Sequence, residues 1–214
     1  MRDLPVIIVG AGGHGRVVAD ALQAAGRSVL GFTDNDPSAW GTTRCGAPVL
    51  GNDDVLRQHE PQSVLLANGL GTTRVSTLRR DVFLKLKAQG YRFATVVHPS
   101  ATVSPQASIE EGCQVMARAV VQVGAAVAAN TILNTGTIVD HDCAIGAHTH
   151  VATGATLSGG VKIGENCHIG AGATVIQGVS LGDECLVAAG AVVVRDAAAR
   201  SRLAGVPARP MEKT

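Results

Sequence analysis

LNTGTIVDHDCAIGAHTHVATGATLSGGVKIG, residues 133–164, carries an aliphatic side chain at every sixth position: Leu133, Val139, Ile145, Val151, Leu157 and Ile163. The same row begins earlier, with Val97, Val103, Ile109, Val115, Val121 and Val127. It continues through Ile169, Val175, Leu181 and Val187 to Val193, seventeen aliphatics without a break. A period of six matches neither the 3.6 of an α-helix nor the 2 of an amphipathic strand. Four residues after each aliphatic stands a mostly small side chain, among them Cys113, Ala119, Thr131, Cys143, Thr149, Cys167 and Cys185. Four of the five cysteines therefore share one slot, where they read as small buried packing residues. Six residues make one short flat strand and a bend. Three such strands close a triangular coil, and successive coils pair as parallel strands about 4.8 Å apart.

Composition agrees with thin stacked layers. Of 214 residues, aromatics are 2% and charged residues 16%, so large side chains for an ordinary core are scarce. A formal net charge of +1 gives no field that would gather nucleic acid or an anionic membrane. Met1, Arg2 and Asp3 lead directly into an apolar strand, and no run approaches the roughly 20 apolar residues of a membrane helix. Five cysteines without a C-x-x-C pair point to a reduced, cytoplasmic protein.

Residues 1–96 read as a separate α/β unit ahead of an all-β unit over residues 97–214. Val6 to Val9 is an apolar strand, followed by Gly10, Gly12 and Gly15 in G-x-G-x-x-G spacing with His14 inside it. A helix is expected next, with Val17, Val18, Ala21, Leu22 and Ala25 on one face and Gly26 as its stop. A second strand from Ser28 to Thr33 ends at Asp34, near the spacing expected of a nucleotide-binding βαβ unit. Further on come a strand from Ser63 to Ala67, a helix marked by Val75, Leu78, Val82 and Leu86, and a strand from Tyr91 to Val96. Arg79, Arg80, Lys85 and Lys87 read as the solvated face of that helix. The unit is too short for a full dinucleotide fold, which favours a mononucleotide or nucleotide sugar over NAD. Its glycine loop is either a phosphate cradle at a helix N-terminus or a tight turn with no ligand.

Four histidines fall inside the repeat: His141, His148, His150 and His168. With eighteen residues per coil, His168 stacks over His150, and Gly159 over His141. A ring with only glycine above it has open space for a substrate. Asp140 and Asp142 flank His141, and Asn134 lies one hexad earlier. A carboxylate beside an imidazole fixes its tautomer and raises its basicity, which makes His141 the candidate general base. His148 and His168 read as decoration of a solvated face.

The run from His141 to Gly146, with His150, Gly154 and Gly159, is similar to the motif of sugar O- and N-acetyltransferases of the sialic-acid and bacillosamine type. The opening Val9-Gly10-Ala11-Gly12-Gly13-His14-Gly15 and the closing Gly205-Val206-Pro207-Ala208-Arg209 resemble the same family's nucleotide loop and tail. The hexads resemble its left-handed parallel β-helix, whose crossover opposes the usual right-handed rule. The resemblance implies a homotrimer with active sites between neighbouring β-helices and acetyl-CoA as co-substrate. His141 would be the base and Asp142 its partner, in one carboxyl position where some relatives carry Glu. His150 and Gly159 would hold the thioester carbonyl, and Ala171 and Ala189 would line the CoA channel of the neighbouring subunit. Gly10, Gly12, Gly13, His14, Asp34, Asn35 and Gly69 would hold the nucleotide. The implied reaction is direct N-acetylation of a nucleotide-linked 4-amino-4,6-dideoxy sugar, with UDP and GDP both open. Sugar O-acetylation is the alternative, and a non-catalytic nucleotide-sugar-binding protein is a further one. A zinc hydratase on the same scaffold would need a histidine spacing that this chain lacks, so no metal is expected.

Overall fold

A computed structural model describes residues 4–211 of the chain. Residues 1–3 and 212–214, including the Met1–Asp3 lead-in, lie outside the described part. The first unit contains β1 (Val6–Val9), α1 (Gly13–Ala24), β2 (Val29–Thr33), β3 (Thr43–Arg44), β4 (Ala47–Gly51), β5 (Leu65–Asn68) and α2 (Leu78–Ala88). They build a sheet of order β3-β4-β2-β1-β5 in which β1 pairs in parallel with both β2 and β5. Alternation along β1 sends Val6 and Ile8 to the α1 side, with Val18 and Leu22. Ile7 and Val9 go to the α2 side, with Phe83 and Leu86. This is a small Rossmann-like layer cake. Among the described residues no helix is long and apolar enough to cross a membrane.

From Val96 onward the chain is a left-handed parallel β-helix. Its two-residue strands recur every six residues and pair with the strands eighteen residues away, Val121 with Val139 and Val127 with Ile145 for example. Three sheets of six, five and eight strands form the triangle. The aliphatics from Val115 to Val193 point inward and are buried. At the open first coil the row frays: Val97 is 39% exposed, because no coil lies beneath it.

The small slot has a second use. Thr131, Cys143, Thr149 and Cys167 each donate from the side chain to a carbonyl on the next coil: Gly146, Ser158, Gly164 and Gly182, at 2.9–3.2 Å. Only a short side chain with a donor fills the space and ties the rungs together.

Three expectations need correction. Tyr91 to Val96 is not a regular strand. Phe93 makes one bridge to Leu66, and Val96–Val97 pairs with Gln114 and Val115 of the β-helix. The chain has already left the first sheet because its outer edge must feed the coil. Arg79 is buried rather than solvated. His168 is buried too, and His148 is half-buried against the edge of Phe83. All three are covered because the α/β unit packs on the eight-stranded face. The outward row of that face, Gln114, Ile132, His150 and His168, is consequently buried while the other two faces stay largely open.

Candidate active site

The seam between the α/β unit and the eight-stranded face encloses a cavity of about 780 Å³. Gly10, Gly12, Gly13, His14, Asp34 and Gly69 line it from one side, and Asn134 and His150 from the other. Asn35 borders a smaller recess of about 160 Å³ that shares Gly10, Asp34 and Leu70 with the first. The glycines divide by purpose. Gly10 sits at φ 102°, a left-handed conformation that favours glycine, and a Cβ there would also lie 3.3 Å from the Gly69 backbone. At Gly12 and Gly13 a Cβ would meet nothing within 4 Å; these two face open cavity. Asp34 braces the loop, its carboxylate accepting from the amides of Ala11 and Asp36, both at 2.9 Å.

Both cavity imidazoles are neutral parts of the wall. His14 Nε2 donates to Gln114 Oε1 at 2.7 Å, and Gln114 Nε2 donates to the Asn68 carbonyl at 2.7 Å. Burial, reinforced by the charge of Arg79, lowers His14 to a pKa of about 4. His150 is lowered to about 3, chiefly by burial and then by His168, His14 and Arg79 nearby. Its Nε2 accepts from Asn134 Nδ2 at 3.2 Å, which leaves Nδ1 to donate to the Thr72 carbonyl at 2.9 Å. His168 meets the His150 ring edge-on, with 5.2 Å between centroids.

His141, Asp142 and Gly159 lie elsewhere, on the triangle edge between the six- and five-stranded faces. His141 and Asp142 are the two turn residues of one corner. Asp142 Oδ2 accepts from His141 Nδ1 at 2.9 Å, so the shorter acid reaches its partner. Nε2 therefore holds the free lone pair. Hydrogen bonding to Asp142, with the charge of Asp140, raises the His141 pKa above its ordinary value. One coil on, a Cβ at Gly159 would stand 2.5 Å from that Nε2, so glycine alone leaves the ring its place. The Gly159 N–H has no backbone acceptor among the described residues.

Ala171 and Ala189 are exposed on the next edge, eighteen residues apart, with Gly190 N–H bonded to the Ala171 carbonyl. Thr135 and Thr153 precede them in that column and border the large cavity. A hexad at about 3.3 Å per residue makes each triangle side about 15–20 Å. One chain therefore does not bring Ala171 and Ala189 to His141.

The α/β unit matches the model of the PglD N-terminal domain over residues 5–83, and residues 160–195 match that of the hexapeptide repeat of succinyl-transferase. A histidine-to-asparagine mutant of perosamine N-acetyltransferase from Caulobacter crescentus, in complex with CoA and GDP-perosamine, is 37% identical. That match covers 98% of this chain and 97% of the other, with a TM-score of 0.91. The acetyltransferase domain of PglB from Neisseria gonorrhoeae FA1090, in complex with acetyl coenzyme A, is also 37% identical. It is covered over 98% of this chain and 100% of the other, with a TM-score of 0.91. The chain belongs to the hexapeptide-repeat acyltransferases. WeeI from Acinetobacter baumannii AYE, at 23% identity, 98% and 100% coverage and a TM-score of 0.82, shares the fold.

In this acyltransferase the exposed imidazole with a held tautomer is the stronger base, and burial makes the others weaker ones. The cavity can enclose a ligand of nucleotide size. Sequence reasoning missed Arg79, Thr72 and Gln114. Gln114 stands at an outward hexad position, where a lone polar residue looks like any solvated one; only the docking of the α/β unit makes it a joint.

Proposed function

We propose that the chain is an acetyl-CoA-dependent N-acetyltransferase acting on the amine of a nucleoside-diphosphate-linked 4-amino-4,6-dideoxy sugar. The observation that carries this reading is the His141–Asp142 pair, whose Nε2 is free against Gly159, in a chain 37% identical to enzymes solved with CoA, acetyl-CoA and GDP-perosamine. Residues 1–96 hold the nucleotide in the glycine-loop cavity, through Gly10, Gly12, Gly13, His14, Asp34, Asn35 and Gly69. Residues 97–214 carry the transfer. His141 Nε2 takes the proton of the sugar amine as its nitrogen attacks the thioester carbonyl. The tetrahedral oxyanion is met by the Gly159 N–H, and its collapse expels the CoA thiolate, which receives the proton from His141. No acyl-enzyme is needed, since alignment in a ternary complex can lower the barrier by up to about 7–11 kcal/mol. His150 helps to hold the thioester carbonyl, with Asn134 bonded to it at 3.2 Å, and Ala171 and Ala189 line the CoA channel.

Because those alanines lie a triangle side away from His141, the complete site takes its base from one subunit and its CoA edge from another. A homotrimer fits that requirement. The free cysteines fit a cytoplasmic setting.

The test is a thiol-release assay with acetyl-CoA against UDP- and GDP-linked 4-amino-4,6-dideoxy sugars and their hydroxyl analogues. CoA release with an amino sugar alone is expected, and His141→Ala should lower it by about 10²–10⁴-fold. Release with the hydroxyl analogues would move the enzyme to O-acetylation. Unchanged turnover in His141→Ala would end the assignment of the base.

A further inference from the structure

Arg79 lies at the floor of the glycine-loop cavity and has no part in the proton transfer. Only 2% of it is exposed, and no carboxylate among the described residues comes within ion-pair distance. Its Nη1 donates to the carbonyls of Asn68 and Leu70, both at 2.8 Å, and its Nε to the Asn130 carbonyl at 3.3 Å. Nη2 is closed off from solvent and has no hydrogen-bond partner among the described residues. A buried cation without a counter-ion is costly, and an anionic ligand beside it would relieve that cost.

Nothing around it supplies that charge. Burial lowers Arg79 to a pKa of about 9, so it stays cationic at neutral pH. Cys113 beside it is raised to about 11 by burial and is a neutral thiol. Burial chiefly lowers His14, His148 and His150, and the Arg79 charge adds to the shift of each. Asp34, the acid on the cavity wall, already accepts two backbone amides, and Arg74 adds a second cation to the lining. The Asn68 and Leu70 carbonyls, which would repel a phosphate, are turned inward onto the guanidinium.

We propose that Arg79 is the built-in counter-charge for the diphosphate of the sugar nucleotide, and that it makes the cavity select diphosphate ligands over the uncharged nucleoside. This rests on the nucleotide-sugar reading of the cavity. Arg79 is a positioning and selecting residue that acts from beneath the Gly69–Gly71 loop.

The experiment measures binding of GDP, UDP and their nucleosides to the full chain by calorimetry at low and high salt, for wild type, Arg79→Met and Arg79→Lys. Trp40, the single tryptophan, donates from its indole N–H to the Asp34 carbonyl at 2.7 Å and gives an independent fluorescence readout. Wild type should prefer one diphosphate over its nucleoside. Arg79→Met should lose about ten- to a hundredfold in diphosphate affinity, with nucleoside binding kept and the salt dependence flattened. Arg79→Lys should keep most of the preference. An equal loss of diphosphate and nucleoside in Arg79→Met would make the residue a strut only, and wild-type diphosphate affinity in that variant would equally overturn the proposal. If Arg79→Met fails to fold, Arg79→Lys decides: a lost diphosphate preference in a folded protein overturns it. Wild type that binds neither diphosphate would overturn the cavity reading itself, and this proposal with it.

Discussion

Asp142 occupies a backbone conformation that most side chains avoid, with φ at 59°. Every corner from Gly112 to Gly190 has its second turn residue at positive φ, and eight of these fourteen residues are glycine. An acid there forgoes the easier residue, and its return is the bond to His141. Asp142→Asn should therefore lower the His141 pKa, since the contact that raises it is removed. The base form would then dominate from a lower pH, though with its tautomer less firmly held. Titrating the His141 ring by NMR, with His141→Ala to assign the signal, measures this; an unmoved midpoint would mean that Asp142 does not tune the imidazole. Gly159 does not need glycine for its φ; it needs it for the ring beside it. Gly159→Ala should cost about 10²-fold in turnover by displacing the imidazole, with little change in melting temperature. A fully active Gly159→Ala would show that Nε2 works from another position.

At the scale of the element, each coil is a layer held by its neighbours, so damage stays local. Leu157 is fully buried two residues before Gly159. Leu157→Ala should cost about 2–5 kcal/mol, read as a fall in melting temperature or denaturant midpoint, because neighbouring coils cannot collapse into the gap. Coil register and stacking were legible from sequence, since one aliphatic per hexad leaves a single way to point inward. Hairpin β3–β4 was not. Its two-residue turn, Cys45-Gly46, has φ of 46° and 75°, but cysteine is not the Asn or Asp that usually announces such a turn. The Arg79 face of α2 was also misread, because charge on an amphipathic helix normally marks solvent and here marks a buried joint with the β-helix.

At the scale of the whole molecule, His141 and the Ala171–Ala189 column proposed for CoA lie on different edges of the triangle. If neighbouring subunits complete each site, two inactive variants should rescue each other. Coexpressed His141→Ala and Ala171→Trp chains are expected to recover part of wild-type turnover in mixed trimers, where one interface combines the intact His141 edge with the intact CoA edge. No recovery in assemblies shown to be mixed would place both substrates on one chain. Joining the α/β unit to the β-helix is likewise a matter of the whole: His14 meets Gln114, Asn68 meets Asn130, and Thr72 meets His150 across long stretches of chain.

By itself the sequence determined the β-helix, its inward row, the glycine loop and the stacking of Gly159 over His141. Each of these follows from a short-range repeat or motif, and a period needs no knowledge of distant neighbours. Tertiary structure alone decided which histidines are buried, which face of the coil is covered, and that Arg79 ends under the cavity with no counter-ion among the described residues. Those outcomes depend on how two independently patterned units dock, and outward-facing polar residues look the same in sequence whether water or a second unit comes to cover them.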